Sequence, residues 1–263
     1  MLISGVALFI TQCEKEPELN PEDPVDIPDS NLLAALIEAG ADTNGDSLIS
    51  YAEAEMVTLI NVSGKWRQDL ITDMTGIEKF VNLDTLICDW NQIVALDISN
   101  NTALQDLMCS QNQLTSLDVS VHTALERFYC GNNLLSSLDI SKNEELRDFR
   151  CGNNHLTNLD VSNNTALVIL DCANNQLTEL DVTNLLDLHI MTCGDNQLAS
   201  LDLSNNSRMG PIEHLLYPSC ELDIGNMPTL EEVCVWTMPF PPEGFKLCMD
   251  GSPNVYFTTG CSQ

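Results

Sequence analysis

The hydrophobic positions of this chain recur every 21 residues, and the polar positions between them keep the same period. Each unit reads LxxLxCxxNxLxxLDxxxNxx, which combines two half-units of 10 and 11 residues that share the form LxxLxLxxN. One such unit cannot bury its own leucines, whereas stacked units form a continuous core. The pattern therefore predicts a solenoid. Its units begin at Leu83, Leu104, Leu125, Leu146, Leu167, Leu188 and Met209, and Leu230 is expected to continue the register.

The two half-units predict where the strands of this solenoid lie. We expect one short strand near LxC and a second near LDV, on opposite faces of a flat coil. Neighbouring side chains of a strand point to opposite sides, so the Leu and Cys of LxC face inward and the residue between them faces outward. The predicted fold class is an α/β solenoid with short parallel strands on both faces, a helical N-terminal cap and an irregular C-terminal cap.

The six near-perfect units resemble the leucine-rich-repeat family, in its short bacterial variant with nested half-repeats. The resemblance covers about residues 57–236. It implies adhesion or protein–protein recognition, and it does not name a partner.

Three columns of residues run through the units. The cysteines are predicted to be buried free thiols, because stacked parallel neighbours have poor disulfide geometry and no His joins them to bind zinc. The asparagines are predicted to turn inward and bond backbone groups at the bends. The aspartates are predicted to face outward and to bond loop amides or hydroxyls, with a line of divalent cations as the alternative. The columns are Cys88, Cys109, Cys130, Cys151, Cys172 and Cys193; Asn91, Asn112, Asn133, Asn154, Asn175 and Asn196; and Asp97, Asp118, Asp139, Asp160, Asp181, Asp202 and Asp223.

Residues 42–53, DTNGDSLISYAE, resemble an EF-hand loop. Hard Ca²⁺ prefers six or seven oxygens on one tight turn, so the spacing predicts a calcium site. Ser47 stands where the family has glycine and must adopt a left-handed conformation, which predicts weak affinity, about 10⁻⁴–10⁻³ M or somewhat tighter. A structural ion is favoured over a sensor. The expected ligands are Asp42, Asn44, Asp46, the carbonyl of Leu48, Ser50 and Glu53.

Two short helices are predicted to flank this loop. Residues 30–39 have apolar positions at helical spacing, with Ser30 as the candidate N-cap and Gly40 as the end. A second helix is predicted over about residues 51–56, opened by a capping box between Ser50 and Glu53.

The N-terminus starts with an apolar run of 12 residues that ends at Cys13. A bilayer span needs about 20 residues, so the run fits a signal peptide better, although no Lys or Arg precedes it. The run and the following CEKE resemble a bacterial lipoprotein signal, which implies acylation of Cys13 and the extracellular face of the outer membrane. A soluble secreted protein is the alternative. The predicted organisation is a signal peptide over 1–12, an acidic, proline-rich, solvated linker over 13–29, an EF-hand-like cap over 30–56, repeats over 57–208, and degenerate repeats with a cap over 209–263.

Charge and the placement of histidines exclude several classes of function. Asp and Glu number 39 against 10 Lys and Arg, a formal charge of -29. Such a surface repels nucleic acid and anionic lipid, so we expect neither as a partner, and a membrane contact only through the lipid anchor. The four histidines fall in different columns, and no nucleophile–base spacing or phosphate loop is present. The sequence therefore predicts a protein that is not an enzyme, and a monomer.

Four cysteines lie outside the column, in the last segment of the chain. They can pair in three ways. We prefer Cys248 with Cys261, because these bracket a turn-rich DGSPN segment and a VYF strand; four reduced thiols are the alternative. The four are Cys220, Cys234, Cys248 and Cys261.

The variable outward positions are the candidates for ligand binding. Three of the ten basic residues meet in two adjacent units beside a tyrosine, and Arg and Tyr are the residues most often found at binding hot spots. We expect this patch to grip an acidic protein or glycoprotein, unless its charges only balance nearby Asp and Glu. A glycan-capturing protein, using Trp90, Tyr129 and Trp66, and a structural surface component are the other interpretations. The candidate residues are Arg127, Tyr129, Arg147 and Arg150, with Ile87 and Met108 as an apolar flank.

Overall fold

A computed structural model describes residues 20–64, 69–211 and 220–260. The expectations for the 1–12 segment, Cys13, Trp66, His214 and Cys261 lie outside the described residues. In the described part, no helix is both long enough and apolar enough to cross a membrane.

The elements follow the repeat. Two α-helices, α1 (Ser30–Glu38) and α2 (Tyr51–Met56), precede the strands, and one 3₁₀ turn spans Ile77–Lys79. The strands are β1 (Leu59–Asn61), β2 (Thr85–Ile87), β3 (Asp106–Met108), β4 (Arg127–Tyr129), β5 (Asp148–Arg150), β6 (Ile169–Asp171), β7 (Ile190–Thr192), β8 (Ser200–Leu203), β9 (Leu222–Asp223), β10 (Glu232–Val235), β11 (Leu247–Cys248) and β12 (Tyr256–Thr258).

All strand pairs are parallel, and they form two sheets. The long sheet has the order β1-β2-β3-β4-β5-β6-β7-β9-β11, and the short one has the order β12-β10-β8. Equivalent positions pair across neighbouring coils, as in Leu107 with Phe128 and Phe128 with Phe149. The solenoid predicted from the repeat is confirmed.

The second face carries fewer strands than predicted. Among the described residues only β8, β10 and β12 pair there, all at the C-terminal end of the coil. In the earlier units the amides that follow the LDV segments bond locally: the Ser99 N–H donates to the Asp97 carboxylate and the Asn101 N–H to the Ile98 carbonyl. The same local bonds occur in the coil of β8, where the Ser204 N–H donates to Asp202 and the Asn206 N–H to the Leu203 carbonyl, so they are present with or without strand pairing.

The expected register of the last units is wrong. Met191 pairs with Leu222, and Leu201 pairs with Val233, so the spacing grows from 21 residues to 31 and 32. Extra chain between Gly210 and Cys220 shifts everything after it. Asp223 consequently lies in the long sheet beside Thr192, not in the aspartate column, and Leu230 does not begin a new unit.

The core is one continuous stack of leucines and cysteines. Within LxC the prediction is confirmed: Leu107 and Cys109 are fully buried, and Met108 between them is half-buried. All six column cysteines are buried and free. Burial raises the pKa of the Cys151 thiol well above its ordinary value, with smaller contributions from Cys130 and Cys172. These thiols are packing groups.

The preferred pairing of Cys248 with Cys261 is wrong, and so is the alternative of four reduced thiols. Cys248 is bonded to Cys220, with the Cα atoms 5.8 Å apart. The pairing of β11 with β9 brings these two segments side by side at a separation that suits a disulfide.

The N-terminal segment also differs from expectation. Residues 20–29 are mostly exposed, as a solvated linker would be, but they are docked on the fold, because Val25 is only 7% exposed and its N–H donates to the Ile49 carbonyl at 2.7 Å. The N-cap of α1 is Asp29 and not Ser30; its carboxylate accepts the N–H groups of Asn31 and Leu32. The capping box of α2 is present as predicted.

Candidate binding face and calcium loop

The outward side chains of the long sheet form a single surface. Its central positions on β2 to β7 are all half-buried, and neighbours in sequence order are neighbours in space. Five of the six predicted ligand residues therefore meet on adjacent strands, and Arg147 lies exposed one residue before β5. The central residues are Ile87, Met108, Tyr129, Arg150, Asp171 and Thr192.

Arg127 is paired across the sheet. Its Nε and Nη2 atoms both donate to the carboxylate of Asp106 on the neighbouring strand. The arginine side chain is 53% exposed and the aspartate side chain 13%, so the pair sits at the sheet surface. The fork of the guanidinium matches the carboxylate, which fixes the orientation of both groups.

Asp148 holds a second network together. It accepts the Tyr129 hydroxyl at 2.6 Å, and the Arg150 Nε and Nη2 atoms at 2.8 and 2.9 Å. The Arg150 guanidinium carbon lies 4.8 Å from the centre of the Tyr129 ring. Burial, reinforced by the bond to Asp148, raises the pKa of Tyr129 to about 12, so the hydroxyl keeps its proton and acts as a donor.

These contacts change the expected chemistry of the patch. Arg127 and Arg150 are each neutralised by a carboxylate in bidentate contact. This supports the alternative that these charges balance nearby acids. The patch is an ordered cluster of tyrosine and arginine side chains, and Arg127 and Arg150 add no net positive charge to it.

Buried asparagines tie each coil to the next. The Asn112 Nδ2 atom donates to the carbonyls of Cys88 and Cys109, both at 3.0 Å, while its Oδ1 atom accepts the Ile93 N–H at 3.1 Å. The same bonds recur one unit later at Asn133. The predicted inward turn of this column is confirmed.

The aspartate column bonds to its own loop. The Asp118 carboxylate accepts the Ser120 N–H at 2.9 Å, and Asp160 does the same with Ser162. These hydrogen bonds hold the pKa of both carboxyls below the ordinary value. The hydrogen bonds to loop amides that were predicted for this column are therefore present.

Side-chain oxygens of the candidate calcium loop accept hydrogen bonds from amides of the same loop. The Asp42 carboxylate accepts the N–H groups of Gly45 and Ser47 at 2.7 and 2.9 Å. Asn44 and Asp46 accept amides two residues ahead, at 2.8 and 2.9 Å. Ser47 has the left-handed φ of 69° that was predicted.

Glu53 closes this loop. One carboxylate oxygen accepts from the Thr43 amide and hydroxyl and from the Asn44 amide, and the other from the Ser50 amide and hydroxyl. The hydrogen bond from the Ser50 amide, the leading cause, acts with those from Thr43 to lower the pKa of Glu53 to about 2, against the effect of burial. The carboxylate and amide oxygens of this loop are of the kind that a hard cation prefers. No group of three or more His, Cys, Asp or Glu side chains is gathered as a metal cluster among the described residues.

Comparisons with known proteins agree with this architecture. No family model matches the chain. The solved functional domain of InlJ from Listeria monocytogenes, described as including a cysteine ladder, superimposes with a TM-score of 0.68 at 26% identity, over 90% of this chain and 64% of that one. The chain has an internalin-like leucine-rich-repeat fold.

Two further matches are to internalins. Internalin J from Listeria monocytogenes serotype 4b (strain F2365) is 41% identical over 75 residues, which are 28% of this chain and 8% of that protein. Internalin C2 of the same species superimposes with a TM-score of 0.60 at 20% identity, over 88% of this chain and 94% of that one. The chain thus spans less than two thirds of the first two relatives.

The leucine-rich-repeat coil contains a second buried polar ladder that sequence analysis missed. Asn143 donates to the carbonyls of Val119 and His122 at 3.0 and 2.8 Å. The signal was present, because the repeat unit carries a second Asn after LDxxx, but no role was assigned to it. The ladder residues are fully buried: Asn101, His122, Asn143, Asn164 and Asn206.

Proposed function

We propose that this chain is a non-enzymatic binding protein that acts outside the cell and recognises a protein partner through the outward face of its long sheet. The proposal rests on one observation, the Tyr129–Asp148–Arg150 network on β4 and β5. Ile87 and Met108 extend this surface with half-buried apolar side chains.

Preorganisation is what makes this network suited to recognition. Tyr and Arg dominate binding hot spots, and side chains that are already ordered lose less entropy when a partner docks. Because Arg127 and Arg150 are paired with acids, we expect the contact to depend on shape and hydrogen bonds. Binding should therefore weaken little between low and physiological salt, unlike a contact driven by charge attraction alone.

Several features support an extracellular location. The Cys220–Cys248 disulfide belongs to oxidising compartments. The formal charge of -29 keeps such a protein soluble. Acylation of Cys13, with attachment to the outer face of a bacterial outer membrane, is part of the proposal.

The glycan-capturing alternative is less well supported. An aromatic platform for a sugar needs an open ring face, and the Arg150 guanidinium lies over the Tyr129 ring. Trp90, which is 45% exposed, is the described ring that remains for this role. A structural surface component without a specific ligand is the outcome that the binding experiment below distinguishes.

The test is affinity capture from host extracellular matrix and mucin, with cross-linking to locate the contact. A Tyr129→Ala/Arg150→Ala variant removes the network. The matched control, Asn158→Ala/Glu179→Ala, changes two residues beside the LDV segments. A third variant, Asp106→Arg/Arg127→Asp, exchanges the ion pair while keeping it.

A partner lost by the first variant alone, with cross-links to β3–β5, supports the proposal. Equal loss in the control, or capture unchanged in every variant, contradicts it. If no partner is captured by the unmodified protein, the structural surface component becomes the better interpretation.

We also propose that residues 42–53 bind Ca²⁺. A bound ion would supply a hard positive charge for the oxygens of Asp42, Asn44, Asp46, Leu48, Ser50 and Glu53. The hydrogen bonds that Glu53 accepts from Thr43 and Ser50 compete with this role, which is consistent with weak affinity. Isothermal titration should give a Kd of about 10⁻⁴–10⁻³ M for the unmodified chain and no binding for Asp42→Asn/Asp46→Asn.

A further inference from the structure

Residues 20–29, here named the strap, pair with the second half of the candidate calcium loop. The Val25 N–H donates to the Ile49 carbonyl at 2.7 Å, and the Tyr51 N–H donates to the Asp23 carbonyl at 3.0 Å. The Ala52 N–H donates to the Pro21 carbonyl at 2.8 Å. Pro24 and Ser50 form an antiparallel bridge between these bonds. The strap therefore supports residues 49–52 along their whole length.

The other end of the strap is fixed to the first coil. One Asp29 carboxylate oxygen caps α1, and the other accepts the Thr72 amide and hydroxyl at 2.8 and 3.0 Å and the Asp73 amide at 3.1 Å. Gly76 lies directly under the strap: a Cβ atom there would stand 2.8 Å from the Asp26 carbonyl oxygen. The strap thus joins the calcium loop to the repeats.

Two of the six candidate ligands lie in or next to this contact. Ile49, which accepts the Val25 N–H, lies between the Leu48 carbonyl and Ser50, two of the expected calcium ligands. Val25 and Ile49 are both buried, at 7% and 1% exposure, so the segments also share apolar packing. An ion that orders residues 48–50 therefore also orders the segment that the strap pairs with.

We propose that calcium binding to residues 42–53 and docking of the strap on residues 49–52 are thermodynamically coupled. The ion orders the loop and so holds the strap on the solenoid, and the docked strap orders the loop for the ion. This inference rests on the calcium site proposed above. Coupling of this kind is reciprocal, so each event strengthens the other by the same factor, here about tenfold.

The first experiment measures the strap directly. Hydrogen–deuterium exchange of the full chain is followed in millimolar Ca²⁺ and in chelator, for peptides covering residues 20–29 and 49–52, with a peptide from residues 125–150 as the internal reference. We expect about tenfold slower exchange of the strap amides in Ca²⁺ and no change in the reference. In Asp42→Asn/Asp46→Asn the calcium effect should disappear.

The second experiment reads the same coupling from the calcium side. Val25→Pro deletes the N–H that donates to Ile49, whereas Val25→Ala keeps it and trims the side chain. Isothermal titration should show calcium binding about tenfold weaker for Val25→Pro and less affected for Val25→Ala. Circular dichroism and thermal unfolding check that the repeats stay folded. If Val25→Pro unfolds the cap, the hydrogen–deuterium exchange experiment on the unmodified chain alone tests the coupling.

The outcomes separate the two proposals. Calcium binding with slower strap exchange supports the coupling. Calcium binding with unchanged strap exchange, or with equal affinity in Val25→Pro, overturns the coupling and leaves the calcium site standing. No calcium binding by the unmodified chain overturns both.

Discussion

At the scale of single residues, asparagine fills two different positions in the coil. In each Asn-Asn pair of the central units the first residue takes a left-handed φ, 54° at Asn132 and 59° at Asn153, and is exposed. Asparagine tolerates that conformation better than most residues. The second residue is buried and bonds to backbone of the adjacent coil. The backbone conformation therefore determines that the first asparagine is a turn residue and that the second bonds one coil to the next.

His122 takes the place of Asn in the second buried ladder, as Leu185 does three units later. Its Nε2 atom lies 3.0 Å from the Ile98 carbonyl and so carries the proton, while Nδ1 has no hydrogen-bond partner. Burial lowers the pKa of His122, against the opposing effect of bonds to Ile98 and Val119 and the charge of Asp118. The neutral form therefore fits this site.

The pH dependence of stability tests this assignment. The unfolded histidine, with a pKa of about 6.5, takes up a proton before the folded one, so stability is lost as the pH falls below that value. His122→Asn should remove this loss, at most about 1.4 kcal/mol between pH 7.5 and 5.5. Urea unfolding at the two pH values measures it, with the exposed His155→Asn as control. An unchanged pH dependence in His122→Asn would contradict the assignment.

At the scale of elements, one side chain caps α1 and also bonds this helix to the first coil. Asp29 caps the helix and also accepts three hydrogen bonds from Thr72 and Asp73. Burial alone would raise the pKa of this carboxyl, but the bonds from Thr72, Leu32 and Asp73 hold it below its ordinary value. Asp29 therefore stabilises the fold fully above about pH 3.9, the pKa of Asp in the unfolded chain. This stabilisation is lost as the pH falls through the lower pKa that Asp29 has in the folded protein.

Substitution of the cap distinguishes the sequence expectation from the structure. Asp29→Ala should lower the free energy of unfolding by about 1–2 kcal/mol, because helix amides lose their acceptor. Ser30→Ala, at the residue that the sequence favoured as N-cap, should change it by less than about 0.5 kcal/mol, because Ser30 is exposed. Chemical denaturation at pH 7 compares the two. Equal effects would argue against Asp29 as the cap.

The cysteine ladder is an element of packing, and its chemistry can be tested at one rung. Cys151→Ser places a hydroxyl in a fully buried position and should cost about 1–3 kcal/mol. Cys151→Ala separates the lost volume from the buried hydroxyl and should cost less. In the native protein the six ladder thiols should resist a water-soluble disulfide reagent until denaturant is added. Fast labelling of the folded protein would contradict a packing role.

At the scale of the whole molecule, the two ends of the stack are closed in different ways. The N-terminal end has helices, the closed loop and the strap. The C-terminal end has the longer last coils, the Cys220–Cys248 disulfide and a group of packed rings that includes Trp236, Phe240 and Phe245.

The disulfide should carry much of the stability of that end. It joins residues 28 apart, so the chain-entropy model assigns it about 3–4 kcal/mol. Replacing Cys220 and Cys248 by Ala should speed hydrogen exchange in residues 220–260 and leave the peptides of residues 104–170 unchanged. A uniform effect along the chain would show that the solenoid unfolds as one unit and that the end is not separately held.

The repeat determined the stack, the buried free cysteines, the asparagine column and the outward surface, because these depend on contacts between equivalent positions one unit apart. The local spacing also determined the capping box of α2 and the left-handed Ser47. Tertiary structure decided the rest. The pairing of Arg127 and Arg150 with Asp106 and Asp148 depends on which rotamers neighbouring strands allow. The disulfide and the strap join segments that are not one repeat apart, and the shifted register breaks the repeat itself. Only the folded chain shows which of these segments meet.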